Sequence, residues 1–334
     1  MENSQEYIDT LSVIIPVYKS SNILGELITR LTKVLGHYTY EIILVNDGSP
    51  DNSWHTINEL TRLYPNITGI DLMRNYGQHN ALLCGIRNAR YDVIVTLDDD
   101  LQHPPEEIPK LLTKLAEGYD VVYGTPVDDK HSFWRKRASQ ITKWALQGAM
   151  GAETARKVSA FRAFRTRLRE AFVNYQSPFL SIDVLLTWGT TRFSSVRVSH
   201  APRASGVSNY NFRKLVRHAF DMMTGFSTWP LQLASLIGFS FTLFGIIVFL
   251  YVIAVFFIRG GSVPGFPFLA SIIAIFSGAQ MFAIGIIGEY LARMHFRSME
   301  KPTYTVREKT AAAKTPREEP ELSDLNEPWA KLNK

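Results

Sequence analysis

The sequence predicts an α/β open-sheet domain followed by a membrane domain of two transmembrane helices. Three observations predict this. Aliphatic runs of strand length alternate with helix-like stretches through the N-terminal part. Two long apolar segments without charge lie toward the C-terminus. Polar residues gather where the aliphatic runs stop.

The strand-like runs are LSVIIPVY (11–18), YEIILVND (40–47), ITGIDLM (67–73), YDVIVTLD (91–98) and YDVVYG (119–124). They are nearly continuous in aliphatic residues, as a parallel sheet covered on both faces requires. Stretches such as ILGELITRLTKVL and PPEEIPKLLTKLAEG separate them and carry helical periodicity. Ligands of such sheets bind beyond the carboxyl ends of the strands. Those ends hold Pro16-Val17-Tyr18, Asn46-Asp47-Gly48-Ser49 and Asp98-Asp99-Asp100.

Three adjacent carboxylates at a strand end repel one another unless a cation offsets them. If strand geometry persists through them, Asp98 and Asp100 share one side, roughly 7 Å apart at their Cα atoms, and Asp99 faces the other. That pair, with Gln102 two residues on, suits a hard cation such as Mg²⁺ or Mn²⁺ that keeps positions open for a substrate diphosphate. A purely local reading has one aspartate opening the turn into the helix after Pro104-Pro105, with Glu106 and Glu107 favouring its N-terminus. It accounts for one carboxylate, not three.

Leu231 to Ile258 and Phe266 to Gly288 are free of charge and long enough to cross a bilayer. A Gly- and Pro-containing turn, RGGSVPG, joins them. Arg213, Lys214 and Arg217 precede the pair, and Arg293, Arg297, Lys301, Arg307 and Lys309 follow it, against Arg259 alone in the turn. The positive-inside rule therefore places both termini and the α/β domain on the cytoplasmic side, with an inner (plasma) membrane expected. Glu289 and Arg293 are spaced for a helical ion pair. Gly238, Gly245, Gly285 and Gly288 suit close helix approach in a homo-oligomer. The resulting division is an α/β domain at 1–210, an amphipathic juxtamembrane helix at 211–228, the hairpin at 229–295 and a polar, partly disordered tail at 296–334.

Other classes lose support. Net charge is +5 without a basic run, so no nucleic-acid partner is expected. The single cysteine, Cys84, excludes an internal disulfide framework. The start, MENSQEYIDT, does not read as a signal peptide. Neither G-x-G-x-x-G nor G-x-x-x-x-G-K-[ST] occurs, which argues against dinucleotide-dependent and P-loop enzymes. The histidines show no metal-ligand spacing and read as turn, surface or packing residues.

The segments IIPVYKS, ILVNDGSPDNS, RNYGQHNALLCGIRNA, LDDDLQHPPE, SAFRAF and RASGVSNY occur in the order found in family 2 glycosyltransferases of the GT-A fold. More narrowly, the chain resembles the polyprenyl-phosphate glycosyltransferases, over about residues 10 to 295. The resemblance implies transfer of a sugar, glucose from UDP-glucose as the first expectation, from a nucleotide-sugar donor to a polyprenyl phosphate in the lipid membrane. Pro16, Tyr18 and Asp47 then line the nucleotide pocket. Asp98 and Asp100 are the D-x-D metal pair, with Gln102 as an added ligand. Arg162 contacts the phosphates, as does Arg135 or Arg137. Ser208 and Tyr210 lie near the acceptor phosphate. Asp99 orients a substrate or moves a proton.

Three positions depart from the family pattern. Lys19-Ser20 stands where Asn-Glu is usual, Asn209 replaces a lysine, and Asp99 replaces a small residue. They leave the donor sugar open, with mannose or an amino sugar as alternatives. A membrane-tethered, non-catalytic nucleotide-sugar binder is the other class. A processive polysaccharide synthase is disfavoured by the absence of Q-x-x-R-W.

Overall fold

A computed structural model describes residues 7–126, 157–177, 180–201, 229–259, 265–299 and 301–310. Strands β1 (Thr10–Val17), β2 (Thr39–Asn46), β3 (Ile67–Leu72) and β4 (Val93–Thr96) are the first four aliphatic runs. Helices α1 (Leu24–Leu35), α2 (Ser53–Leu63) and α3 (Gln78–Asn88) connect them. A 3₁₀ turn at Pro105–Glu107 leads into α4 (Ile108–Ala116), then β5 (Val121–Pro126). Next come β6 (Arg162–Arg165), α5 (Ile182–Gly189), β7 (Phe193–Val198), the long helices α6 (Trp229–Arg259) and α7 (Phe266–Ser298), and finally β8 (Val306–Lys309).

The strands form one sheet in the order β7-β5-β6-β4-β1-β2-β3-β8. β4, β1, β2 and β3 are parallel, while β6 runs antiparallel between β4 and β5. Side-chain alternation divides β1 between two cores. Leu11, Val13, Ile15 and Val17 pack with α1, α2 and α4; Ile14 faces the layer of α3 and α5. The periodicity of α1 explains its seat, since Leu24, Leu27, Ile28, Leu31 and Leu35 all turn inward and are fully buried. Each such side chain contributes about 1.5–3 kcal/mol of burial. On the other face α3 lies so close that a Cβ on Gly85 would sit 2.3 Å from Ile14 Cγ2, so only glycine fits there.

Four differences from the sequence reading matter. β4 stops at Thr96, two residues short of the aspartates. The five aliphatic runs did not include β6, β7 or β8. The polar tail is not all tail: residues 306–309 form an edge strand on β3, and α7 continues to Ser298. The juxtamembrane segment 211–228 and residues 311–334 lie outside the described residues.

Helices α6 and α7 pass the length and composition needed to cross a bilayer, over Pro230–Val255 and Ile275–His295, and neither window is buried in the protein. Phe239, Phe249, Tyr251 and Ile258 stand open on α6. The two helices pack through Phe241 and Phe244 against Phe276. The expected Glu289–Arg293 ion pair is present at 2.8 Å.

Candidate active site

The parallel pairing of β1 with β2 and β4 brings three strand ends to one edge of the sheet. A cleft of about 270 Å³ opens there. Pro16, Val17 and Tyr18 line it from β1, Asp47 from the end of β2, Asn75, Gly77 and Gln78 from the start of α3, and Asp98, Asp99 and Asp100 from the end of β4. The N-terminus of α3 thus opens onto the cleft, where its dipole favours an anion.

The aspartates do not continue the strand. Leu97 N makes the last ladder-like bond, to Ile14 O at 3.4 Å, and the chain then turns. Asp100 Oδ1 accepts the Gln102 amide at 3.1 Å, and Leu101 takes a left-handed φ of +58°. A leucine held there is strained, and such strain concentrates at functional sites. The carboxylates consequently diverge. Asp98 Oδ1 accepts from Gln78 Nε2 at 2.5 Å, on the α3 side. Asp99 Oδ2 accepts the Tyr18 amide at 3.1 Å and the Ser20 hydroxyl, on the β1 side. Asp98 and Asp99 thus face opposite walls of the cleft, as alternation suggested, but the chain carries them in a turn after the strand has ended.

Asp99 and Ser20, two of the positions that depart from the family pattern, are in contact. Burial pushes the Asp99 carboxyl above its ordinary range, opposed by the Ser20 hydroxyl and the Tyr18 amide. Lys19, also left-handed at φ +59°, lays its ammonium over the Tyr18 ring at 5.3 Å.

Asp47 is 3% exposed and acts on the chain itself. Its Oδ1 accepts the Tyr76 amide at 2.7 Å and its Oδ2 the Gly77 amide at 2.8 Å, so it holds the β3–α3 loop. Burial pushes its carboxyl up, and the two amides pull the other way. The next residue, Gly48, has φ +60°, and a Cβ there would lie 2.4 Å from the Arg74 carbonyl carbon. The NDGS segment is thus a turn pressed against the loop that Asp47 grips.

Among the expected site residues, Pro16, Tyr18, Asp47, Asp98, Asp99 and Asp100 share this cleft. Two others do not line it. Gln102 gives its amide to Asp100, and its carbonyl accepts the Ala201 amide. Arg162 is 1% exposed within β6. Its guanidinium pairs with Asp183 of α5, and its Nε donates to Thr96 Oγ1 at 3.1 Å. The Tyr123 hydroxyl donates to Asp183 at 3.0 Å, and burial beside that charge pushes the phenol well up. In the structure Arg162 thus belongs to a core ion pair, because it opens a central strand and its side chain is buried. Arg135, Arg137, Ser208 and Tyr210 lie outside the described residues.

Sequence reasoning did not single out Ser20, Asn75, Gly77 and Gln78 as site residues. RNYGQHN stood out only as part of the resemblance, since amides and glycine announce no chemistry of their own. Among the described histidines His37, His55, His200 and His295 are exposed, and His103 is a buried packing residue. His103 stacks on Phe161 and meets His200 edge-on, and burial pushes its imidazole down to about 4.

Residues 12–180 match the family model described as glycosyl transferase family 2. The undecaprenyl-phosphate 4-deoxy-4-formamido-L-arabinose transferase of Pseudomonas aeruginosa (strain LESB58) is 36% identical over 305 residues, 90% of each chain. The protein of the same name from Shewanella sediminis (strain HAW-EB3) is 36% identical over 315 residues, 92% of this chain and 94% of that one. Among solved structures, glucosyl-3-phosphoglycerate synthase from Mycobacterium tuberculosis is a distant likeness, at 17% identity and a TM-score of 0.49 over 65% of this chain and 78% of that one. With its parallel strand ends and aspartate turn, the chain belongs to glycosyltransferase family 2, and its open sheet is the GT-A-like catalytic domain of such an enzyme.

Proposed function

We propose that the enzyme transfers a sugar, with inversion, from a nucleoside-diphosphate sugar to a polyprenyl phosphate in the membrane. The observation that carries this reading is the gathering of Asp98, Asp99 and Asp100 with Pro16, Tyr18 and Asp47 around one cleft at the mouth of a helix. The two relatives, named for transfer to undecaprenyl phosphate, support the acceptor. Their sugar, a 4-formamido pentose, favours the amino-sugar alternative over glucose. UDP is the leading nucleotide.

The donor groups in the cleft suit a divalent cation. They are hard oxygen ligands, although among the described residues no group of three or more His, Cys, Asp or Glu side chains is placed to hold a metal ion by itself. Mg²⁺ or Mn²⁺ in such a site completes its shell with substrate phosphates and water. Asp98 and Asp100 would hold it, and it would stabilise charge on the departing diphosphate. Asp47 orders the wall formed by residues 75–77, and the start of α3 offers its dipole to the same anion. A phosphate acceptor is already ionised, so no strong base is required, and alignment behind the anomeric carbon dominates. Asp99, fixed by Ser20 and the Tyr18 amide, orients rather than relays a proton.

The apolar surfaces of α6 and α7 support a membrane seat, since helices of this length that expose apolar side chains all round are matched to lipid. β8 follows the hairpin, yet pairs with β3. This supports both ends of the hairpin lying on one side of the membrane, and the flanking Lys and Arg residues support that side being cytoplasmic. The same reading places the nucleotide donor in water and the lipid phosphate at the surface.

The test is transfer by purified full-length protein in detergent, with undecaprenyl phosphate and a donor panel that includes UDP-glucose and UDP-linked 4-amino and 4-formamido pentoses. A lipid-phosphate sugar of inverted anomeric configuration is expected. Release of free sugar alone, or retention of configuration, would contradict the proposal.

A further inference from the structure

Strand β8 reaches beyond its own pairing to the start of the loop that follows β3. It runs antiparallel to β3, with Ile70 opposite Lys309, Asp71 opposite Glu308 and Leu72 opposite Val306. The register slips between Asp71 and Leu72, which leaves Arg307 as the extra residue of a bulge. Bulges re-aim a side chain, and Arg307 uses the change to reach two acceptors. Its Nη1 meets Asp71 Oδ2 at 3.0 Å, and its Nη2 donates to the Met73 carbonyl at 2.8 Å. The Met73 amide in turn donates to Thr305 O at 2.9 Å. Met73 opens the loop that supplies Asn75 and Gly77 to the cleft. It is therefore held from both its amide and its carbonyl by residues that follow the membrane hairpin.

The same contact extends toward the other wall. Asp71, 1% exposed, accepts from Asn46 Nδ2 at 2.6 Å, and Asn46 precedes the Asp47 that grips Tyr76 and Gly77. The loop is thus clamped at one end by Arg307 and Thr305 and at the other by Asp47. The segment joining α7 to β8 is docked as well. Thr303 is buried and accepts from Arg87 Nη1 at 3.4 Å, and the Arg87 guanidinium lies over the Tyr304 ring.

We propose that β8 is a strap that sets the donor-side loop of the cleft, with Arg307 as its positioning residue. The strap begins a few residues after the second long helix. The proposal rests on the reading of this cleft as the nucleotide-sugar site. It makes a segment beyond the hairpin part of donor binding, so the seat of the hairpin and the order of the loop are linked through one short strand.

The experiment uses the full-length protein in detergent with Arg307→Ala and Arg307→Lys. Hydrogen exchange is followed in the peptide containing Tyr76 and Gly77, with a β1 peptide as control for the fold, and KM is measured for donor and acceptor separately. Arg307→Ala removes charged hydrogen bonds from a half-exposed side chain, so donor KM should rise about tenfold, with loop exchange accelerated by a similar factor. Acceptor KM and exchange in β1 should stay within about twofold. Arg307→Lys can serve only one of the two acceptors at a time and should fall between wild type and Arg307→Ala. Unchanged loop exchange in Arg307→Ala overturns the strap. Loosened exchange with unchanged donor KM overturns its role in donor binding, and equal acceleration in β1 reduces β8 to a general stabiliser, which also overturns the proposal. If the wild-type chain itself transfers from no nucleoside-diphosphate sugar, the donor-site reading fails, and the exchange result still decides the strap.

Discussion

Replacing Asp47 by asparagine separates two roles for this residue that the resemblance alone left merged. In the structure both carboxylate oxygens are engaged by backbone amides, Tyr76 N at 2.7 Å and Gly77 N at 2.8 Å, at a site only 3% exposed. Hydrogen bonds to a charged acceptor contribute about 1.5–3 kcal/mol each. Asparagine keeps the shape and one acceptor oxygen, but turns an NH₂ toward the second amide. One bond is lost and two donors face each other, a cost of about 2 kcal/mol in loop order, or about thirtyfold in affinity for whatever the ordered loop binds. Titration calorimetry with the nucleoside diphosphate, together with donor KM, measures this directly. A clamp predicts the same proportional loss for uridine and for other nucleobases. Direct contact with the base predicts a change of base preference instead. Affinity within threefold of wild type for every nucleotide would refute the clamp.

The remaining predictions concern pH, backbone and core. Because burial raises the Asp47 carboxyl above the ordinary aspartate value of about 3.9, donor binding should weaken as pH falls through a range above that value. Asp47→Asn should abolish this acid limb in donor KM. The sign for stability is opposite: a carboxyl whose pKa is raised by folding favours the folded state when protonated, so this group should cause no loss of thermal stability over the same pH range. Gly48→Ala imposes a left-handed alanine, costing about 1–2 kcal/mol, and drives its Cβ against the Arg74–Asn75 backbone. It should lower the melting temperature by a few degrees and raise donor KM, and a variant indistinguishable from wild type in both would contradict the packing described. Arg162→Ala strands the buried Asp183 carboxylate, which costs about 3–5 kcal/mol, so it should fail first in thermal unfolding. If Arg162→Ala kept wild-type stability and lost only kcat, the arginine would be acting on substrate phosphates after all.

The sequence made some of this legible and hid the rest for physical reasons. The first four strands were readable because a parallel strand covered on both faces is an uninterrupted aliphatic run, as in VIIPV or IILV. β6, β7 and β8 were not: RAFR, FSSVRV and VREK are short and mixed, and pair only because neighbouring edges accept them. The aspartates announced a site through their charge, but their directions depended on where β4 stops and on Leu101 turning left-handed, which no periodicity encodes. Arg162 was found by its motif, but its burial follows from a strand that the pattern did not reveal. Arg307 was counted only as a positive charge beyond the hairpin. Its contacts with Asp71 and Met73 join positions more than two hundred residues apart.

The most direct test of the central claim is the rate of sugar transfer to undecaprenyl phosphate by wild type and by Asp100→Asn, each titrated with Mg²⁺ or Mn²⁺ and then with EDTA. The account predicts that wild-type transfer rises with metal and stops with chelator. It also predicts that Asp100→Asn loses at least about a hundredfold in kcat, the scale of removing a preorganised electrostatic contact, while its melting temperature stays near wild type. Transfer that survives EDTA, or an Asp100→Asn variant as active as wild type, would contradict it.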